Sequence, residues 1–147
     1  MPGVAGGGAV STVDDDAEGM RIRREVLGDE HVDRAVAATS EFTQPFQDYI
    51  TRAAWGAVWT RPGLDRATRS AVTLAILTTL HCHGELAMHV RAALRNGLTR
   101  AQIAEVLLHT AVYAGVPAAN AAFSIAERTF AELDETNGVD DADEAAR

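Results

Sequence analysis

The amino-acid sequence predicts an all-α fold, and three observations carry that expectation. Apolar residues recur three and four positions apart, as in Val32, Ala35 and Val36 or Leu86, Val90, Ala93 and Leu94, which is the spacing of one helix face. Strand-like alternation is nowhere sustained. Helix start and stop signals fall between the periodic segments, with Asp, Thr or Pro before them and Gly after.

The elements follow in chain order. Residues 1–19 combine Gly, Ser and Asp without apolar periodicity, so a disordered tail is expected there. Met20 to Leu27 begins a helix that Gly28 stops. Asp29 is the expected cap of the helix carrying Val32, Ala35 and Val36. Pro45 suits the first turn of a helix with Phe46, Tyr49, Ile50 and Ala53 on one side. Thr60-Arg61-Pro62-Gly63 breaks it. Asp65 caps the next helix, whose Val72, Leu74, Ala75, Ile76 and Leu77 imply burial on most sides. A helix from about Cys82 has Leu86, Val90, Ala93 and Leu94 as its core stripe and closes at Asn96-Gly97. Thr99-x-x-Gln102 is a capping box ahead of Ile103, Val106 and Leu107. Gly115-Val116-Pro117 separates that helix from the last one, expected to reach about Leu133. Residues 134–147 form an acidic tail, also expected to be disordered.

Length and composition bound the function. A chain of 147 residues with 47% hydrophobic content makes one domain with a real core, expected over residues 20–133. Every apolar run is interrupted by Arg, His or Gly before it reaches membrane-spanning length. The start of the chain lacks a basic region followed by an apolar stretch, so no secretory signal is expected. Cys82 is the single cysteine, which excludes a disulfide scaffold and fits a cytoplasmic location.

The net charge of −8 lies mostly in the two ends of the chain, because residues 20–133 hold twelve Arg against eleven acids. A nucleic-acid partner is not expected, since basic runs with interleaved aromatics are lacking. All thirteen cationic side chains are Arg. A Schiff base to a lysine is therefore impossible, and with it the usual pyridoxal-phosphate linkage. Gly6-Gly7-Gly8 reads as flexible linker rather than as a phosphate loop.

Residues 82–89, Cys-His-Gly-Glu-Leu-Ala-Met-His, gather a thiol, a carboxylate and imidazoles. On a continuous helix Cys82, Glu85 and His89 share a face, and Glu85 and His89 are direct neighbours. His81, Glu85 and His89 also invite a metal reading, two His and one carboxylate. On a straight helix the outer pair is about 12 Å apart, too far to share one ion, so metal is not expected. Structural roles compete for the same residues: a buried helix histidine at 89, a first-turn carboxylate at 85, a small buried thiol at 82, and Trp55 with Trp59 as core or interface.

Several longer stretches carry a family resemblance. They are Arg23-Arg24-Glu25-Val26-Leu27-Gly28-Asp29-Glu30-His31-Val32-Asp33, Ala54-Trp55-Gly56-Ala57-Val58-Trp59-Thr60-Arg61-Pro62-Gly63-Leu64, the run from Leu86 to Thr99, and Tyr113-Ala114-Gly115-Val116-Pro117-Ala118-Ala119-Asn120-Ala121. Together they resemble the carboxymuconolactone decarboxylase family over about residues 20–133. Peroxidase-type relatives of that superfamily carry C-x-x-C-x-x-x-H, whereas this chain has Glu85 at the second cysteine position. Dithiol chemistry within one chain is thereby excluded, and a single-Cys thiol peroxidase using Cys82 stays open as the alternative.

The resemblance implies a compact AhpD-like helical domain that assembles as a homo-oligomer, a hexamer or trimer. It implies cofactor-independent decarboxylation of 4-carboxymuconolactone to 3-oxoadipate enol-lactone in protocatechuate catabolism. Its partner would be that small dicarboxylate lactone, with no metal, membrane or nucleic acid. His89 is the expected general acid, oriented by Glu85; Arg61, Arg69, Trp59, Tyr113 and Asn120 are the expected substrate-binding residues.

Overall fold

The computed structural model of the chain describes the backbone of residues 12–145 and the side chains of residues 15–138. Every regular element among them is helical, as expected. The chain divides at Pro62 and Gly63 into two compact units.

The first unit contains α1 (Thr12–Leu27), α2 (Asp29–Ala37) and α3 (Gln44–Ile50), which runs on into a π-helical segment, Thr51–Trp59. Ile22, Val26, Val32 and Trp55 are its buried apolar residues. Gly28, at φ 90°, turns the chain between α1 and α2, a conformation that costs glycine nothing. It also occupies the N-cap, so Asp29 does not cap α2 as expected. Asp29 lies one residue inside, in the first turn, and its Oδ1 accepts from Arg24 Nη1 at 3.2 Å. Pro45 is in the first turn of α3, as expected.

The ordinary helix expected after Pro45 widens to π geometry at Thr51. The segment is packed tightly against α1 at Gly19 and Gly56. An added Cβ on Gly19 would collide with the Thr51 carbonyl oxygen, and one on Gly56 would lie 3.0 Å from the Asp15 carbonyl oxygen. Arg52 reinforces the crossing, donating from Nε and Nη2 to the two Asp16 oxygens at 3.0 Å each.

The second unit contains α4 (Arg66–Thr79), α5 (His83–Arg95), α6 (Arg100–Ala114) and α7 (Val116–Ala145). One cluster joins all four: Leu74, Leu86 with Val90 and Ala93, Ile103 with Leu107, and Ala122 with Ile125 and Ala126. The predicted caps are present. Asp65 Oδ1 accepts from Thr68 N at 2.7 Å, and this bond holds its carboxyl below the usual carboxylate range. Thr99 Oγ1 accepts from Gln102 N at 3.1 Å while Gln102 Oε1 accepts from Thr99 N at 2.9 Å. Gly97 and Gly115 both adopt positive φ, at 102° and 98°.

Two expectations are corrected here. The tails are shorter than expected among the described residues: α1 starts at Thr12 rather than Met20, and α7 continues past Leu133 to Ala145. Side-chain pairing explains both. Arg21 bridges Glu18 and Glu25 one turn away on either side, and Asp16 is held by Arg52. At the other end Arg91 pairs with Glu132, and Arg100 with Asp134, tying the start of the extension to α5 and α6. Residues 1–11 and 146–147, the rest of the expected tails, lie outside the described residues.

The second correction concerns α4, which is not buried on most sides. Val72 is 48% exposed, Ile76 51% and Leu80 64%. The four-residue spacing of these three puts them on one outward stripe, while Leu74 and Thr78 face inward. An open apolar groove of about 610 Å³ runs between α4 and α6, lined by Val72, Ala75, Leu108 and Val112 among others.

Candidate active site

The site segment folds differently at its two ends. His81 takes φ 56°, a left-handed conformation rare for a residue with a Cβ, and Cys82 becomes the N-cap of α5. The helix therefore begins at His83. Cys82 thus stands at the helix start, and its carbonyl accepts the first helical bond, from Leu86 N at 2.9 Å. Cys82 is half-buried, with Sγ 3.9 Å from the Leu80 carbonyl oxygen. The His81 and His83 rings meet edge-on with centroids 6.0 Å apart.

Glu85 and His89 remain on the helix, four residues apart and so on adjacent turns of one face. Their environments differ. Glu85 is exposed in the first turn, where the positive end of the helix dipole favours a carboxylate. His89 is buried, 9% exposed, between core residues Leu86 and Val90. An exposed first-turn carboxylate thus stands one turn before a buried imidazole on the same helix face. Among the described residues, no group of three or more His, Cys, Asp or Glu side chains comes together as a metal site would require. The bend at His81 takes one of the three candidate ligands off the helix.

The expected substrate-binding residues are spread over both units. Trp59 and Arg61 belong to the first. Trp59 is half-buried and tilted against Trp55 at 5.3 Å between centroids, and Arg61 is exposed just beyond the π-helical segment. In the second unit, Arg69 is half-buried on α4 and Asn120 is exposed on α7. Tyr113, 81% exposed at the end of α6, tilts against His109 at 5.1 Å.

A buried polar group in the first unit escaped the sequence reading. Arg23 is 5% exposed and donates from Nη1 to Gln47 Oε1 at 3.1 Å. The available signal was its position three residues before Val26, on the apolar side of α1. In the second unit, Asn96 Nδ2 donates to the buried Ser70 Oγ at 3.0 Å, joining the end of α5 to α4.

Comparison with known proteins places this arrangement. Residues 44–128 match the carboxymuconolactone decarboxylase family, a span that contains Glu85 and His89. Over 116 residues the chain is 49% identical to 4-carboxymuconolactone decarboxylase of Acinetobacter baylyi, covering 79% of this chain and 87% of that protein. Over 116 residues it is 42% identical to nitrosuccinic acid decarboxylase of Metarhizium robertsii, covering 79% and 81%. A shorter alignment, 53% identity over 38 residues, links it to 4-carboxymuconolactone decarboxylase of Pseudomonas putida, covering 26% and 79%. With a matched span running from α3 into the first half of α7 and 49% identity sustained over 79% of the chain, the protein belongs to the carboxymuconolactone decarboxylase family.

Proposed function

We propose that this protein is a carboxy-lyase that converts 4-carboxymuconolactone to 3-oxoadipate enol-lactone and carbon dioxide, as a step of protocatechuate catabolism. The observation that carries the reading is the 49% identity to a decarboxylase of that name over 79% of the chain, with Glu85 and His89 inside the aligned family span.

The chemistry needs no added electron sink. The departing carboxylate stands on a saturated ring carbon next to a C=C bond conjugated with the lactone carbonyl. As the C–CO2 bond breaks, its electron pair shifts through the alkene to the carbonyl oxygen and gives a dienolate. A proton then goes to the ring carbon beside the carbonyl. We assign that proton to His89 and the orientation of its ring to Glu85. Arg61 and Arg69 are assigned to the substrate carboxylates, whose two oxygens match the planar guanidinium fork. Trp59, Tyr113 and Asn120 complete the assigned binding residues.

We also propose that the active form is a homo-oligomer, a trimer or hexamer. Val72, Ile76 and Leu80 along α4 and its C-cap, with Leu108 and Val112 on α6, are exposed apolar side chains of the kind that partner subunits cover. A cytoplasmic location fits the single free cysteine. Among the described residues, no helix is long and apolar enough to cross a membrane.

The test is carbon dioxide release from enzymatically generated 4-carboxymuconolactone by chelator-treated protein in deuterated water. The expected product carries one deuterium, with one configuration, on the ring carbon beside the carbonyl. Stereorandom label would assign the protonation to solvent instead of His89. Oligomeric, folded protein that releases no carbon dioxide would sink the reading. Cys82→Ser is expected to retain full decarboxylase activity, in protein that consumes no peroxide; peroxide consumption that disappears with the thiol would promote the single-Cys peroxidase alternative.

A further inference from the structure

We infer that the cavity among the helices of the first unit is a binding site for the carboxylate group of a small organic acid, held by Arg23. The cavity, about 220 Å³, lies among α1, α2, α3 and the start of the π-helical segment. At about 30 Å³ of liquid per water molecule it has room for a compact acid of several heavy atoms. Arg23 forms part of its wall, with Met20, Val36, Thr39, Gln47 and Thr51.

What marks the site is a buried cation without a counter-charge. Arg24, Arg52 and Arg100 each pair with a carboxylate at the surface. Arg23, 5% exposed, pairs with none among the described residues. Its Nη1 donates to two neutral acceptors, Gln47 Oε1 at 3.1 Å and Thr51 Oγ1 at 3.4 Å. Its buried Nε has no hydrogen-bond partner among the described residues. Removing a guanidinium from water without an opposing charge is costly, and the structure retains that cost beside an open cavity. Burial, followed by the charge of Arg24, pushes this guanidinium below its ordinary range. A carboxylate in the cavity would supply the missing charge. The guanidinium is a planar donor fork, and a carboxylate, with two acceptor oxygens, is the anion whose shape matches it.

The rest of the wall selects the kind of anion. Asp16 and Asp48 also line the cavity. Asp16 is matched by Arg52, whereas Asp48 accepts only from the neutral Gln44 amide, at 2.8 Å, among the described bonds. This residual negative charge opposes a dianion such as phosphate more than a single carboxylate. His31 provides an internal reporter. Its pKa is lowered by burial first, then by Arg34 and Arg23. A carboxylate beside Arg23 would relieve the last of these.

The inference concerns binding, so it stands or falls independently of turnover on the lactone. The test uses the full chain with ¹⁵N-labelled arginine, titrated with propionate at constant ionic strength, with chloride and inorganic phosphate as comparison anions. The Arg23 Nε–H resonance is expected to shift saturably with propionate, and the His31 titration midpoint to rise. Arg23→Gln is expected to abolish binding. Because that variant puts folding at risk, Val36→Phe is the second arm: it fills the cavity from a half-exposed position and leaves Arg23 in place. At least tenfold weaker propionate binding is expected there. An unmoved Nε–H resonance, an equal response to chloride, phosphate binding as tight as propionate, or undiminished binding by Val36→Phe would each overturn the assignment.

Discussion

The two units are held together by different packing. In residues 63–147, α4 to α7 converge on a continuous apolar cluster from Leu74 to Ala126, and their ends are closed by Asp65, Thr99, Gly97 and Gly115. In the first unit the buried apolar residues are fewer, Ile22, Val26, Val32 and Trp55, and they share the interior with Arg23 and Thr51. There the helices are held by a glycine-to-glycine crossing, a change of helix type and the Arg52–Asp16 pair. The second unit buries polar groups too, Ser70, Thr78, His89, Thr110 and Thr129, but around a larger apolar cluster. The first adds a close backbone crossing in which a single methyl would collide.

The largest test asks whether the chemistry belongs to the second unit. His89→Gln is expected to lower turnover on the lactone by about 10²–10⁴-fold, the usual loss when a general acid is removed. Circular dichroism should show unchanged helicity, since the amide can occupy the same space. Turnover near that of the parent protein would take His89 out of the mechanism.

The next two compare the packing modes directly. Leu107→Ala removes a fully buried side chain from the second unit and is expected to cost about 2–5 kcal/mol in urea unfolding. Gly19→Ala adds one methyl against the Thr51 carbonyl and is expected to cost about 1–3 kcal/mol, a large penalty for so small a change. A neutral Gly19→Ala would mean that the π-helical segment shifts freely, and the contrast between the units would dissolve. Thr99→Ala removes one side of the capping box, with an expected loss of about 0.5–2 kcal/mol.

The smallest effect is a pH dependence from the first unit. His31 has a folded pKa below its ordinary value, so the unfolded chain binds its proton more readily. Its contribution to stability is present above its unfolded pKa, near about 6.5. It is lost as pH falls from there through the folded value. Urea midpoints measured from pH 7.5 to 5 should therefore fall, and His31→Asn should flatten that part of the curve. An equal fall in the variant would assign the acid sensitivity elsewhere.

Much of the second unit was legible in advance because its signals are local. A cap, a stop glycine and a stripe at helical spacing each act within one or two turns, as at Asp65, Thr99 and Leu86. The end of α1 at Gly28 was legible for the same reason, but its start was not. The helix between Thr12 and Gly19 is supported by Asp16 pairing with Arg52, a residue 36 positions away. The placement of Glu85 and His89 on one helix was legible from their spacing. The helix start near Cys82 was legible too; the left-handed turn at His81, φ 56°, that sets it there was not.

By itself the sequence determined the all-helical class, most helix ends, the impossibility of lysine or intrachain dithiol chemistry, and the spacing of Glu85 and His89 on one helix face. Each follows from residue identity and short-range spacing. Only the tertiary structure decided the rest: the π geometry at Thr51–Trp59, the outward stripe of Val72, Ile76 and Leu80, and the burial of Arg23 without a carboxylate. The physical reason is that burial and charge compensation are set by groups distant in the chain. Gly19 opposite Gly56, and Arg23 beside Gln47 and Thr51, meet only once the helices have packed.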